Sequence, residues 1–367
     1  MIHSFSVERF RGLRKCDLQG MRRITLLTGK NNVGKSAVLE ALFVHSGNYN
    51  PNLVMVLHAM RGLQMFTVDA TQGKASPWAS IFYQYEDQQP IRFTGLVSEG
   101  TKPPESVTVS LSPVRNEVEL SGLSHDMRMQ TLFGNSFGIA KVLKLELSRG
   151  RKGREAHKPS KHYLFFNGKD PVVFPSPPNP DYISRLLTST RETATNLATQ
   201  FGRFQVDNKV HLIVDALRAM EPRLEGLELI FEGEPVLHGQ LSGPGRRLMP
   251  LPLMGDGLNR VTTLILSIGS CPGGTILVDD VDTGLHYSVM RPFWESVFRA
   301  AEEFDVQVVA TTHSAECAES ALEAAVALEQ KDEFAVIRLE RQQDRIATIT
   351  YTADELFDAV DANLEVR

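Results

Sequence analysis

The chain is predicted to adopt an α/β fold built around a nucleotide phosphate site, and three segments predict it. Gly29-Lys30-Asn31-Asn32-Val33-Gly34-Lys35-Ser36 has the spacing G-x-x-x-x-G-K-S, between an apolar, β-branched run at 23–28 and a helix-forming stretch at 37–43. Residues 274–282 form a short apolar run that ends in Asp279, Asp280 and Asp282. Residues 304–314 form another, ending in Thr311-Thr312-His313-Ser314. Buried strands that each end in polar, ligand-facing residues are the signature of a parallel sheet with a site at its carboxyl edge.

The first segment carries the most chemistry. Its glycines let backbone N–H groups turn inward onto phosphate oxygens, and the following helix N-terminus adds partial positive charge. Gly29, Asn31, Asn32, Gly34, Lys35, Ser36 and Ala37 are therefore expected to wrap the phosphates of ATP. Lys35 is expected to reach the β- and γ-phosphates, and the Ser36 hydroxyl to hold Mg2+.

Along the chain, 54–63 is predicted helical. Candidate strands follow at 81–85, 91–97, 107–111, 118–120, 142–147 and 163–166, separated by Gly, Pro, Asn and Ser as in an antiparallel sheet. Arg149, Arg151, Lys152, Arg154, Lys158 and Lys161 make one strongly basic stretch, either a solvated hairpin tip or a contact for a phosphate backbone, so DNA is a possible partner. A proline-rich connector spans 171–180. The pattern from 182 to 219 predicts two helices broken near Asp207-Asn208, with no sustained heptad repeat and so no long coiled-coil arm. Gly255-Asp256-Gly257 is a turn opening a helix at 260–267, again offering N–H groups. Asp279, ending the next strand, is the expected Mg2+ ligand, and Asp280 stands where a general base would polarise water. His313 is placed to sense the γ-phosphate. A strand pair at 334–339 and 346–352 and a helix at 354–362 complete the reading.

Composition fits a globular chain: of 367 residues, 42% are hydrophobic and 23% charged. A net charge of -5 argues against a uniformly basic nucleic-acid coat. Cys16, Cys271 and Cys317 are scattered and odd in number, which argues against a disulfide framework or zinc knuckle and fits a reducing cytoplasm. Neither a secretory leader nor an apolar run of the roughly 20 residues needed to cross a membrane is expected.

The order of these pieces resembles ABC-type ATPases, and the wording is similar to the RecF/SMC/OLD branch, especially OLD-like "AAA family" proteins. The resemblance rests on Phe5 to Leu13, the Lys30-Asn31-Asn32-Val33 loop, Met254 to Arg260, Gly284 to Ser288 and Thr311 to Ser314. It covers residues 1–44 and 205–350, the expected nucleotide-binding core; 45–204 would be a β-rich lobe with the basic loop and the start of a helical insertion, and 351–367 a C-terminal tail. It implies a homodimer or higher homo-oligomer of heads around ATP. Gly255, Asp256 and Gly257 would cap the other subunit's γ-phosphate, and Arg260 would support that turn or reach that phosphate. It also implies a lobe glutamine facing Mg2+, for which Gln84, Gln88 and Gln89 are candidates. Met254 replaces the serine of transporter signatures, and Asp280 replaces the usual Glu. No TOPRIM nuclease of the OLD kind is expected after His313, so a separate nuclease or toxin effector is the expected partner, in antiphage defence. A RecF-like DNA-repair clamp and a slowly hydrolysing, ATP-loaded scaffold are the other readings.

Overall fold

The structure is a computed structural model that describes residues 1–47, 50–62, 78–100, 102–115, 142–150, 159–167, 170–177, 183–188, 192–243 and 247–362. Its strands, in chain order, are β1 (Ile2–Phe10), β2 (Leu13–Leu18), β3 (Ile24–Thr28), β4 (Ile91–Val97), β5 (Glu105–Pro113), β6 (Leu143–Gly150), β7 (Ser160–Asn167) and β8 (Asp170–Phe174). These are followed by β9 (Ser184–Leu187), β10 (Leu224–Glu232), β11 (Glu234–Leu241), β12 (Arg247–Pro250), β13 (Thr275–Val278), β14 (Gln307–Thr311), β15 (Phe334–Gln342) and β16 (Arg345–Thr352). The α-helices are α1 (Lys35–Ser46), α2 (Leu53–Met60), α3 (Ala194–Val206), α4 (Val210–Arg218), α5 (Asp256–Gly269), α6 (Tyr287–Glu303), α7 (Ala315–Ala327) and α8 (Ala353–Asp361).

Among the described residues one sheet of thirteen strands runs β8-β7-β6-β5-β4-β1-β2-β16-β15-β3-β14-β13-β9. Its two halves have different physics. β9, β13, β14, β3 and β15 are mutually parallel, and every residue of β3, β13 and β14 is buried. Burial on both faces is why these strands are continuous apolar runs in the sequence. Successive side chains point to opposite faces: Leu26, Val278 and Val308 join the core that contains Trp294 and Phe298 of α6, whereas Leu27, Leu277 and Val309 join the core around α1. Residues 38–46 of α1 are all buried, so the helix is enclosed rather than amphipathic. The other half, β1 and β2 with β4 to β8, is antiparallel, and β4 and β5 alternate buried and more exposed positions.

Several expectations are corrected. Residues 81–85 are not a strand: they form two single 3₁₀ turns, with Gln84 at φ 54° and Tyr85 at φ 61°. Left-handed residues interrupt the extended backbone that pairing needs, so only Phe82 bridges to Phe10. The stretch from 182 is not helical throughout. Ser184–Leu187 is β9, the edge of the parallel half, because its apolar residues find a tertiary partner in β13. The two helices that follow do break at Asp207 to Lys209, where Asn208 takes φ 56°. A second sheet, β10-β11-β12, lies where no strand is predicted. α8 packs Ala353, Leu356 and Ala359 into the main core and opens with a Thr352–Glu355 capping box. The expected strand at 118–120 and the basic residues Arg151, Lys152, Arg154 and Lys158 lie outside the described residues. On the described flanks, Arg149 pairs with Glu105 at 2.9 Å and Lys161 with Glu146 at 3.3 Å, so these two cations are already engaged within the sheet.

Candidate nucleotide site

The carboxyl ends of β3, β14 and β13 lie side by side, in the order the parallel pairing dictates. The chain leaves β3 at Thr28 into the glycine loop and enters α1 at Lys35. Gly29 has φ 136°, and a Cβ there would stand 2.5 Å from the Leu339 carbonyl oxygen of β15. Both facts require glycine. Lys35 Nζ donates to the Gly29 carbonyl at 2.7 Å and the Lys30 carbonyl at 3.3 Å, which folds the lysine over its own loop. Burial pushes the Lys35 ammonium down from its ordinary range, against the pull of Asp280, Asp279 and Asp282.

At the end of β13, Asp279 Oδ1 accepts hydrogen bonds from Ser36 Oγ at 3.0 Å and from Thr311 Oγ1 at 2.7 Å. Two oxygen donors brought together at the start of α1 are the protein contribution a magnesium site requires, since Mg2+ takes the rest of its shell from water and phosphate. Asp280 follows with φ 48°, a left-handed position that aspartate tolerates far better than most residues. Its N–H donates to Thr311 Oγ1 at 2.8 Å, and its carboxylate stands 3.9 Å from His313 Nδ1. Burial pushes the Asp280 carboxyl up, Asp279 and Asp282 add to this, and His313 and Lys35 oppose it. Thr312 Oγ1 donates to Asp282 Oδ1 at 2.9 Å, fixing the turn behind the strand.

A cleft of ≈ 430 Å3 opens at this edge, lined by Asn31, Asn32, Gly34, Lys35, Ser36, Ala37 and Asp280. Three arginines that the sequence reading did not assign also line it: Arg11, Arg61 and Arg341. Arg11 and Arg61 converge on the buried Glu40 of α1, Arg61 at 2.7 Å. Arg11 belonged to a segment already singled out at the amino end, whereas no local pattern marks Arg61 or Arg341. Gln84, Gln88 and Gln89 are all exposed and none lines the cleft.

Gly255, Asp256 and Gly257 open α5, and none of them lines that cleft. Arg260, expected to support that turn or to reach the other subunit's phosphate, makes its bonds within its own chain. It donates through Nη2 to the carbonyls of Asp279, at 2.8 Å, and of Asp280, in its own chain. Met254 is a packing residue: it sits over Gly239 of β11, where a Cβ would come within 2.5 Å of its sulfur.

Fold and site together define an α/β protein with a phosphate-loop arrangement at the carboxyl edge of its parallel strands. A domain family described as "AAA domain, putative AbiEii toxin, Type IV TA system" matches residues 145–317, a span that holds Gly255, Asp279, Asp280 and His313 but begins after the phosphate loop. The chain is 21% identical over 351 residues to a Helicobacter pylori protein named "ATP/GTP phosphatase", covering 86% of each. Among solved structures, it is similar to an Smc head bound to the C-winged helix domain of ScpA, at 12% identity and a TM-score of 0.49, over 96% of this chain and 99% of that one. It is also similar to the Pyrococcus furiosus Smc head bound to the C-terminal domain of ScpA, at 8% identity and a TM-score of 0.48, over 99% of both chains. No helix among the described residues is long and apolar enough to cross a membrane.

Proposed function

We propose that the protein is a magnesium-dependent ATPase whose heads pair around ATP and whose nucleotide state controls a separate effector protein. The observation that carries this reading is the Ser36–Asp279 contact at the root of the glycine loop, with Lys35 on one side and the Asp280–His313 pair on the other. Gly29, Asn31, Asn32, Gly34 and Ala37 hold the phosphates through backbone and side-chain donors, while Lys35, Arg11 and Arg341 supply positive charge to the cleft. Ser36 and Asp279 would hold Mg2+, which neutralises charge on the β- and γ-phosphates when bound. Asp280 takes the proton of the attacking water, and His313 orients its carboxylate. Gly255, Asp256 and Gly257 would meet the nucleotide of a second copy.

The effector is read as a nuclease or toxin in antiphage defence; the family description bears on this only in naming a toxin of a toxin–antitoxin system. A DNA-repair clamp finds less support, because Arg149 and Lys161 beside the basic stretch are paired with glutamates. The test is phosphate release from ATP and GTP by wild type and Lys35→Ala. Lys35→Ala is expected to melt cooperatively and to lose turnover by at least about 100-fold. Wild-type turnover in a folded Lys35→Ala protein would remove the phosphate loop from the mechanism.

A further inference from the structure

Asp280 holds a left-handed backbone conformation. Two groups fix it there. Thr311 on β14 accepts the Asp280 N–H, and Arg260 on α5 bridges the carbonyls of Asp279 and Asp280. Arg260 lies one helical turn beyond Asp256, so the residue that clamps Asp280 is rigidly attached to the turn that opens α5. A second tie runs parallel to the first. A Cβ on Gly257 would stand 2.9 Å from the Gly284 carbonyl oxygen, which puts the start of α5 in backbone contact with the turn that follows Asp280. Asn259 Nδ2 donates to the Gly255 carbonyl at 2.9 Å and closes the opening turn on itself. Gly255 to Arg260 and Asp279 to Gly284 are therefore joined at both ends.

We infer that Arg260 is a positioning residue that couples the Gly255–Gly257 turn to the Asp280 carboxylate of the same chain, so that docking of this turn on a second copy sets hydrolysis in the chain that owns the turn. The inference rests on the ATPase reading above. It differs from a phosphate-contacting role, because the Arg260 bonds go to its own chain's backbone and Arg260 does not line the phosphate-loop cleft.

The experiment compares wild type, Arg260→Met, Arg260→Lys and Lys35→Ala in steady-state ATP hydrolysis and in sedimentation with a non-hydrolysable ATP analogue. Arg260→Met is expected to lower kcat about 10- to 100-fold, with KM for ATP within about threefold of wild type and analogue-induced pairing retained. Arg260→Lys keeps the charge and a donor, so its kcat should fall between the two; it also keeps the test decisive if Arg260→Met does not fold. Wild-type kcat in the Arg260 variants overturns the inference. So does a loss of pairing or a rise in KM that matches the fall in kcat, since either would make Arg260 an interface or phosphate contact. Lys35→Ala separates the two claims: if it hydrolyses ATP normally the nucleotide reading fails, whereas a dead Lys35→Ala beside a fully active Arg260→Met sinks only the coupling.

Discussion

At the residue scale, environment decides what a side chain does. Asp280 replaces the glutamate its resemblance leads one to expect, and its φ of 48° supplies a reason, because a left-handed position accepts aspartate with less strain than the longer residue. His45 makes the opposite point. It is fully buried on α1, its Nε2 lies 3.1 Å from the Val107 carbonyl, and its ring stacks edge-on against Phe5. Burial pushes it down to about 4, with Arg149 adding to the effect and the Val107 carbonyl opposing it. The unfolded chain titrates at the ordinary 6.5, so it binds the extra proton between these two values. The contribution of neutral His45 to stability is thus fully present above about pH 6.5 and is lost as pH falls toward 4, on the order of 3 kcal/mol in total. Urea unfolding of wild type and His45→Gln across this window checks it. The wild-type midpoint should fall more steeply with acid, and parallel curves would show that another group carries the pH dependence.

At the element scale, α5 carries a glycine at its second residue, Gly257. On an exposed helix, glycine to alanine stabilises by about 0.5–1 kcal/mol. Here the added methyl would meet the Met220 Cε at 2.8 Å and the Gly284 carbonyl at 2.9 Å. Met220 can swing aside, but a backbone carbonyl cannot without moving the turn after Asp280. Gly257→Ala is therefore expected to destabilise by about 1–3 kcal/mol, reversing the usual sign. Chemical denaturation measures it, and a stabilised Gly257→Ala would mean that the turn yields freely. The same geometry disqualifies Gly257 as a clean probe of any interface.

At the scale of the whole molecule, the cationic groups Arg11, Lys35, Arg61 and Arg341 line the phosphate-loop cleft, whereas Asp256 is exposed at the start of α5, outside it. A two-fold axis would present each patch to the other twice. Asp256→Arg would set like charges against each other across that contact while leaving the phosphate loop untouched. Wild type is expected to double its sedimenting mass with a non-hydrolysable ATP analogue and magnesium, and Asp256→Arg to stay as it is without nucleotide while still binding the analogue. Equal pairing by both proteins would place the contact elsewhere.

Much of this was legible in the residues alone because its causes are local. A glycine loop between a strand and a helix, acids ending a doubly buried run and Thr-Thr-His-Ser ending another are short patterns whose chemistry follows from their own spacing, and the corresponding strands lie where they were expected. Tertiary structure decided the rest. β9 takes strand form only because β13 offers it a partner, although its apolar spacing suits a helix. Gln84 sits on left-handed turns outside the cleft, and Arg61 and Arg341 enter the cleft from opposite ends of the chain. Arg260 carries no local sign that its guanidinium ends on carbonyls about twenty residues away. Such contacts join residues distant in sequence, and only the assembled fold brings them within the short reach over which hydrogen bonds and charges act.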